Sequence, residues 1–196
     1  MKLKKILGDF KPAIILALIT AVTTLLLVLM QGLIDTDEEG LTGRLKEKCI
    51  ELMGEGDFTV ITDWGMYSIV RDGEIPGSIK KTIIHDETGT VAFNIVVKGY
   101  NRDGLDMLIV MNPDGSVRDV AVIRNTETPG IGTRVEEPSF LANFIGLSDT
   151  TRIVKSSPRN INEIAAITGA TKSARGVSDA VNIAIEAYRL LFGEVE

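Results

Sequence analysis

The sequence has one cysteine, Cys49, and one histidine, His85. An intramolecular disulfide is therefore impossible. A zinc or iron–sulfur site built from this chain alone is excluded in practice, because such sites need several Cys or His ligands. Aromatic residues make up only 5% of the chain, and Trp64 is the single tryptophan. No Lys/Arg stripe with interleaved aromatics is present, so the chain lacks the usual footprint of a nucleic-acid binder. A Gly-x-Ser-x-Gly elbow, a His-Glu-x-x-His helix and a Walker-type Gly-x4-Gly-Lys-Ser/Thr loop are also missing. Nucleophilic, zinc-hydrolytic and P-loop chemistries thus have nothing to work with.

Much of what is present is apolar. Hydrophobic residues reach 44% and charged residues 24%, enough for a normal core and too apolar for wholesale disorder. Residues 12–34 contain no charged side chain. That length meets the roughly 20 apolar residues a bilayer-spanning helix requires. It exceeds a signal-peptide core, and no Ala-x-Ala cleavage pattern follows it. The flanks carry opposite charge. Lys2, Lys4, Lys5 and Lys11 precede the run, and Asp35, Asp37, Glu38 and Glu39 follow it. The positive-inside rule places residues 1–11 in the cytoplasm and residues 35–196 outside, as one compact domain behind a single anchor in the cytoplasmic membrane. Thr20, Thr23 and Thr24 within the run can bond back to their own helix.

Within residues 35–196 the apolar spacing predicts an amphipathic helix over 38–53, with Cys49 as a buried core residue, ended by Gly54 and Gly56. Short strands are expected at 58–61, 67–70 and 79–84, with His85 as a surface residue at a strand end. Strands at 91–97, 106–111 and 117–124 follow. The last two are joined through Asn112-Pro113-Asp114-Gly115, which predicts an antiparallel hairpin at the middle of a sheet. A short helix begins at Pro138, with Phe140, Leu141, Phe144 and Ile145 as its apolar face. A longer helix carries Val177, Ala180, Val181, Ala184, Tyr188 and Leu191 on one stripe and closes at Gly193. The fold class is α+β, a mainly antiparallel sheet flanked by helices, behind the N-terminal transmembrane helix.

Two loops have unusual composition. One is Asn125-Thr126-Glu127-Thr128-Pro129-Gly130-Ile131-Gly132-Thr133, where glycines allow close backbone approach to a ligand. An ordinary turn would read the same way. The other is Thr168-Gly169-Ala170-Thr171-Lys172-Ser173, directly before the last helix. A helix start offers unpaired N–H groups and a positive dipole end, and Lys172 and Arg175 add charge, so a phosphate would be held here. The residues alone equally allow Ser173 or Thr171 to be a plain helix cap.

Taken together, the two loops carry a resemblance. Thr-Gly-Ala-Thr-Lys-Ser at 168–173 resembles the Ser/Thr-Gly-Ala-Thr flavin-attachment motif, and Glu-Thr-Pro-Gly-Ile-Gly at 127–132 resembles the Glu-Thr-Pro-Gly-Leu-Gly loop of the same family. Lys98-Gly99-Tyr100 and Glu-Glu-Pro-Ser-Phe-Leu at 136–141 also fit. The family is the FMN-binding domain of the G subunit of Rnf electron-transport complexes, related to the C subunit of sodium-pumping NADH:quinone reductase. The resemblance implies FMN joined covalently to the Thr171 hydroxyl as a phosphoester, installed by a separate flavin transferase. The site would comprise Thr168, Gly169, Ala170, Lys172 and Ser173 beside the phosphate. Thr126, Glu127, Thr128, Pro129, Gly130, Ile131 and Gly132 would lie along the flavin ring, with backbone N–H groups and Thr126 or Thr128 near its polar edge. It further implies other membrane subunits as partners, in a ferredoxin:NAD oxidoreductase that couples electron flow to ion movement. Many members carry an acid six positions before the attachment threonine; here that position is Ala165, and the nearest acid is Glu163. Rival readings are the quinone-reductase C subunit, an anchored scaffold without covalent flavin, and a reductase with loosely bound FMN.

Overall fold

In the computed structural model, the described residues are 11–31, 40–41, 43–62, 79–101 and 104–193, with side chains of the first helix described over 15–26. The chain divides into two units, Met1–Glu38 and Glu39–Glu196. In the first unit, α1 spans Lys11–Gln31. The Thr20, Thr23 and Thr24 hydroxyls donate to carbonyls of the preceding turn, at 2.7 Å, 3.0 Å and 2.7 Å. Their polarity is thereby absorbed locally. Among the described residues, no helix is long and apolar enough to cross a membrane. Much of the 12–34 run lies outside the described side chains.

The second unit is built on a five-stranded antiparallel meander, in the order β1-β2-β3-β4-β5. The strands are β1 (Phe58–Ile61), β2 (Ile79–His85), β3 (Val91–Val97), β4 (Leu105–Met111) and β5 (Val117–Asn125). Two helices cover it. Val91, Phe93, Ile95 and Val97 of β3 share a cluster with Met107 and Ile109 of β4 and with Val177, Ala180, Val181 and Ala184 of the last helix, α4 (Thr171–Phe192). Ala92, Leu108, Val110 and Ile123 belong to a second cluster with Cys49 and Met53 of α2 (Gly43–Met53). Successive strand residues point to opposite faces, so β3 and β4 read as apolar runs interrupted only by Asn94 and Asp106, because both faces are buried. Small residues on the α4 stripe bring that helix close. A Cβ at Gly176 would stand 2.9 Å from the Lys98 carbonyl oxygen.

Most predicted elements lie where expected, and Cys49 is fully buried. Five details differ, the first being that α2 starts at Gly43 and not at 38, since Gly40 and Leu41 are not helical. The β4–β5 hairpin is not at the middle of the sheet, since β5 is an edge strand; its start is covered by a turn in which Val117 N–H donates to Leu147 O (2.8 Å) and Gly146 N–H to Val117 O (2.7 Å). The short helix α3 (Pro138–Leu141) runs on into a single 3-10 turn, Ala142–Phe144, and buries Phe140 and Phe144 but leaves Ile145 exposed. His85 ends β2 as expected but is buried rather than on the surface. Gly56 lies over its ring so closely that a Cβ there would be 2.7 Å from Cε1, and Phe58 meets the ring edge-on at 5.1 Å. A parallel pair, β6 (Arg152–Val154) with β7 (Glu163–Ala165), was not expected; three-residue strands leave almost no periodic signal. The strand predicted at 67–70 and Trp64 lie outside the described residues.

Candidate functional site

The start of α4 is unfinished in a specific way. Gly169 turns the chain at φ +83°, a conformation other residues rarely adopt, and Ala170 N–H closes that turn onto Ile167 O at 2.9 Å. Ala170 is the N-cap and supplies no side-chain hydrogen bond. The first bond into the helix is Ala174 N–H to Ala170 O, at 2.9 Å. Among the described residues, the N–H groups of Thr171, Lys172 and Ser173 have no acceptor. Neither Ser173 nor Thr171 is the cap. Thr171 is the first helical residue and half-buried, and Ser173 points elsewhere.

Ser173 points at Glu127. Its hydroxyl donates to Glu127 Oε2 at 2.5 Å, and the same carboxylate accepts the N–H groups of Tyr100 and Asn101, each at 3.0 Å. Both side chains are almost fully buried. Two glycines make room. A Cβ at Gly99 would sit 2.5 Å from Glu127 Oε1, and one at Gly132 would sit 2.6 Å from Glu127 Cβ. Gly132 therefore serves close packing of the protein against itself. Gly130, at φ +72° with open space where a Cβ would go, serves the turn.

The 126–133 loop consumes its own polar groups. The Thr128 carbonyl accepts N–H from Ile131, Gly132 and Thr133, Gly130 N–H donates to Thr133 Oγ1, and Glu127 N–H donates to Asn125 Oδ1. Thr126 donates its hydroxyl to Gly104 O at 2.9 Å. The expected row of N–H groups toward a ligand is thus reduced, among the described residues, to that of Thr128. A cleft of about 460 Å³ lies between this loop and the start of α4. Glu127, Thr128, Ile131 and Gly132 line one side, and Gly169, Ala170, Thr171, Lys172 and Ser173 the other. Thr126, Pro129, Gly130 and Thr168 do not line it.

The geometry agrees with what the chain is similar to. Residues 99–186 match the FMN-binding domain, a span that contains both loops and the whole cleft. The G subunit of the proton-translocating ferredoxin:NAD(+) oxidoreductase complex of Clostridium ljungdahlii is 33% identical over 96 residues, covering 49% of this chain and 51% of that protein. Over part of its length the chain is thus similar to the FMN-binding domain and to a G subunit of an ion-translocating ferredoxin:NAD(+) oxidoreductase complex. The G subunit of the Na(+)-translocating complex of Acetobacterium woodii is 30% identical over 90 residues, covering 44% of this chain and 43% of that one. The chain thus spans about half the length of the curated relatives it matches. Among solved structures, the crystal structure of Shewanella oneidensis NqrC covers 77% of this chain and 88% of its own, with a TM-score of 0.51 at 19% identity. The C subunit of the Na(+)-translocating NADH-quinone reductase of Parabacteroides distasonis gives a TM-score of 0.50 at 17% identity, over 78% of this chain and 84% of its own. Those two likenesses concern the fold.

The residues present fit the phosphate end of FMN. Three N–H groups and the dipole end of a long helix converge without a competing side-chain cap, a threonine hydroxyl stands at the same place, and Lys172 is adjacent. Tyr100 was not singled out as a site residue from the sequence. It lines the cleft, is 68% exposed, and carries the Lys172 ammonium 5.3 Å from its ring centroid. Its only signal in the sequence was the phrase Lys98-Gly99-Tyr100. Ala165, at the position where the family pattern has an acid, is exposed on β7. Glu163 does not stand in for that acid. Its side chain is held by Arg152 and by the N–H of Arg159 (2.8 Å), and the Arg152 hydrogen bond, above all, keeps its carboxyl below the ordinary 4.5.

Proposed function

We propose that this FMN-binding-domain chain is an electron-carrying subunit of a membrane complex of the ferredoxin:NAD oxidoreductase type, with FMN joined to Thr171. The observation that carries the reading is Thr171 itself: the first residue of an uncapped helix, half-buried, on the wall of a cleft with three unpaired N–H groups beside it. In the joining step the Thr171 oxygen forms a bond to the flavin-side phosphorus of FAD as the bond to the AMP oxygen breaks. AMP leaves, and the hydroxyl proton is released. No electrons change hands. The diester that results keeps a single negative charge, and the helix N–H groups and Lys172 receive it. A flavin transferase performs the step.

Bound FMN supplies reversible one- and two-electron redox chemistry. The chain's own part is to hold and surround it. Ile131 and Tyr100 offer apolar surface at the cleft, and the self-satisfied 126–133 loop gives a wall that does not rearrange. The reading includes an anchor at residues 12–34, with the N-terminus inside and residues 35–196 outside. The uncharged run, the charge asymmetry of its flanks and the exposed Ile15, Leu16, Leu18, Ile19, Val22, Leu25 and Leu26 support it. Other membrane subunits are then its donors, its acceptors and the ion path, since the 12–34 run holds no carboxylate.

One feature favours a second reading, loosely bound FMN: Ala165 stands where the resembled family pattern has an acid, and Glu163 is already engaged. The intact mass of the denatured protein from its native membrane separates the two. An added FMN less one water, lost in Thr171→Val, is expected; an unmodified mass with yellow colour released on denaturation would replace the covalent reading by the loose one.

A further inference from the structure

Thr171 makes no side-chain hydrogen bond of its own among the described residues. Its aim is therefore set by the backbone of the first helical turn. That turn is tied to the other wall of the cleft by Ser173, two residues on, whose hydroxyl reaches Glu127 Oε2. Glu127 in turn receives Tyr100 N–H on Oε2 and Asn101 N–H on Oε1. One side chain joins three segments: the 98–101 loop, the 127–133 loop and the start of α4. The two close glycines, Gly99 and Gly132, leave this carboxylate no room to swing.

The geometry points to Glu127 as the positioning residue of the attachment site, acting through Ser173 to aim the Thr171 hydroxyl. This rests on the covalent reading above. All three partners are donors, and a carboxylate has acceptors for each. An amide cannot satisfy them, because in either orientation its NH2 would face a backbone N–H, that of Tyr100 or that of Asn101. Charge-assisted bonds of this kind are also stronger than those of the amide that would replace them. Reacting groups held out of line by about 1 Å lose on the order of 100-fold in rate. A loosened first turn therefore acts on the rate of joining and leaves the encounter of transferase, FAD and chain alone.

The test uses the full chain in detergent with purified flavin transferase and FAD, following covalent mass with time at a temperature well below unfolding. Wild type, Glu127→Gln and Ser173→Ala are compared. The expected result for Glu127→Gln is a kcat lowered about tenfold or more, with KM for the chain and for FAD within about twofold, and a smaller loss of kcat for Ser173→Ala. A purely structural role would lower the melting temperature and leave kcat of the folded chain at the wild-type value, and that result overturns the inference. A loss confined to KM also overturns it, since it assigns Glu127 to recognition. Should Glu127→Gln fail to fold, Ser173→Ala decides: wild-type kcat there is against the inference, a reduced kcat with unchanged KM is for it. A wild-type chain that gains no mass brings down the covalent reading itself, an outcome distinct from equal rates in all three.

Discussion

Two clefts among the described residues of the domain are almost equal in size. One, about 460 Å³, lies between the 126–133 loop and the start of α4; the other, about 480 Å³, lies among α2, β5 and α3. Volume does not distinguish them. The second is walled by side chains of mixed charge, including Arg44, Lys48, Asp119 and Glu136, and by Leu141 and Ile145. The first is walled by Gly132, Gly169 and Ala170 as well as by larger side chains such as Tyr100, Ile131 and Lys172, and it has unpaired N–H groups and a hydroxyl at one end. Long side chains can fold over a cleft and satisfy one another. Backbone donors at a helix start cannot turn away, so they stay available to an anion.

The sharpest way to break this contrast is Thr171→Val, which removes the hydroxyl and little else. All covalent flavin mass should disappear by mass spectrometry, with the stability of the unmodified chain changed by no more than about 0.5 kcal/mol. Gly132→Ala comes next. Its Cβ would press on Glu127 at 2.6 Å, so denaturant unfolding should report a loss of about 1–3 kcal/mol, and modification should slow as well. Acid tests the support of the 163–170 segment behind the first cleft. Glu163 has a folded pKa below its ordinary 4.5, owing first to the Arg152 hydrogen bond, so its contribution is complete above about pH 4.5 and fades as pH falls through the lower folded value. Thermal melts from pH 6 down to pH 2 should show an acid loss that is smaller in Glu163→Gln. Beside the second cleft, burial pushes the Cys49 thiol up to about 12, so alkylation at pH 8 should be very slow until denaturant opens the domain. The smallest effect sharpens the contrast most directly. Ala142→Leu, at an exposed position in the second cleft, should leave both flavin incorporation and stability within measurement error.

The sheet was readable because its signals are local. β1 and β3 were placed to the residue, and β4 and β5 to within one, since apolar runs bounded by Gly, Pro and Asn carry that information. The site was readable only as two motifs. What joins them was not: Glu127 and Ser173 are 46 positions apart, and no periodicity links a carboxylate to a hydroxyl at that distance. The same holds for His85. Its burial depends on Gly54 and Gly56 folding across it from another element, and its neighbours Asp86 and Glu87 argued for the surface. The glycines of the 125–133 loop were read as places for a ligand to approach, whereas Gly132, together with Gly99 from another loop, makes room for Glu127. Sequence supplied the residue types, and the meeting of three loops supplied their work.

The alanine at the head of α4 has one more consequence. Restoring a serine, threonine or aspartate cap at such a position typically adds about 1 kcal/mol, so the chain before modification forgoes that much. An ordinary ligand would return it only while its concentration stayed above its dissociation constant. In the covalent attachment proposed above, a phosphate fixed to Thr171 would supply the missing acceptors from within the molecule, and no dilution would remove it. On that proposal maturation would work as a thermodynamic ratchet: the finished protein would be more stable than its precursor by an amount independent of free flavin, and washing or dialysis would leave that difference in place.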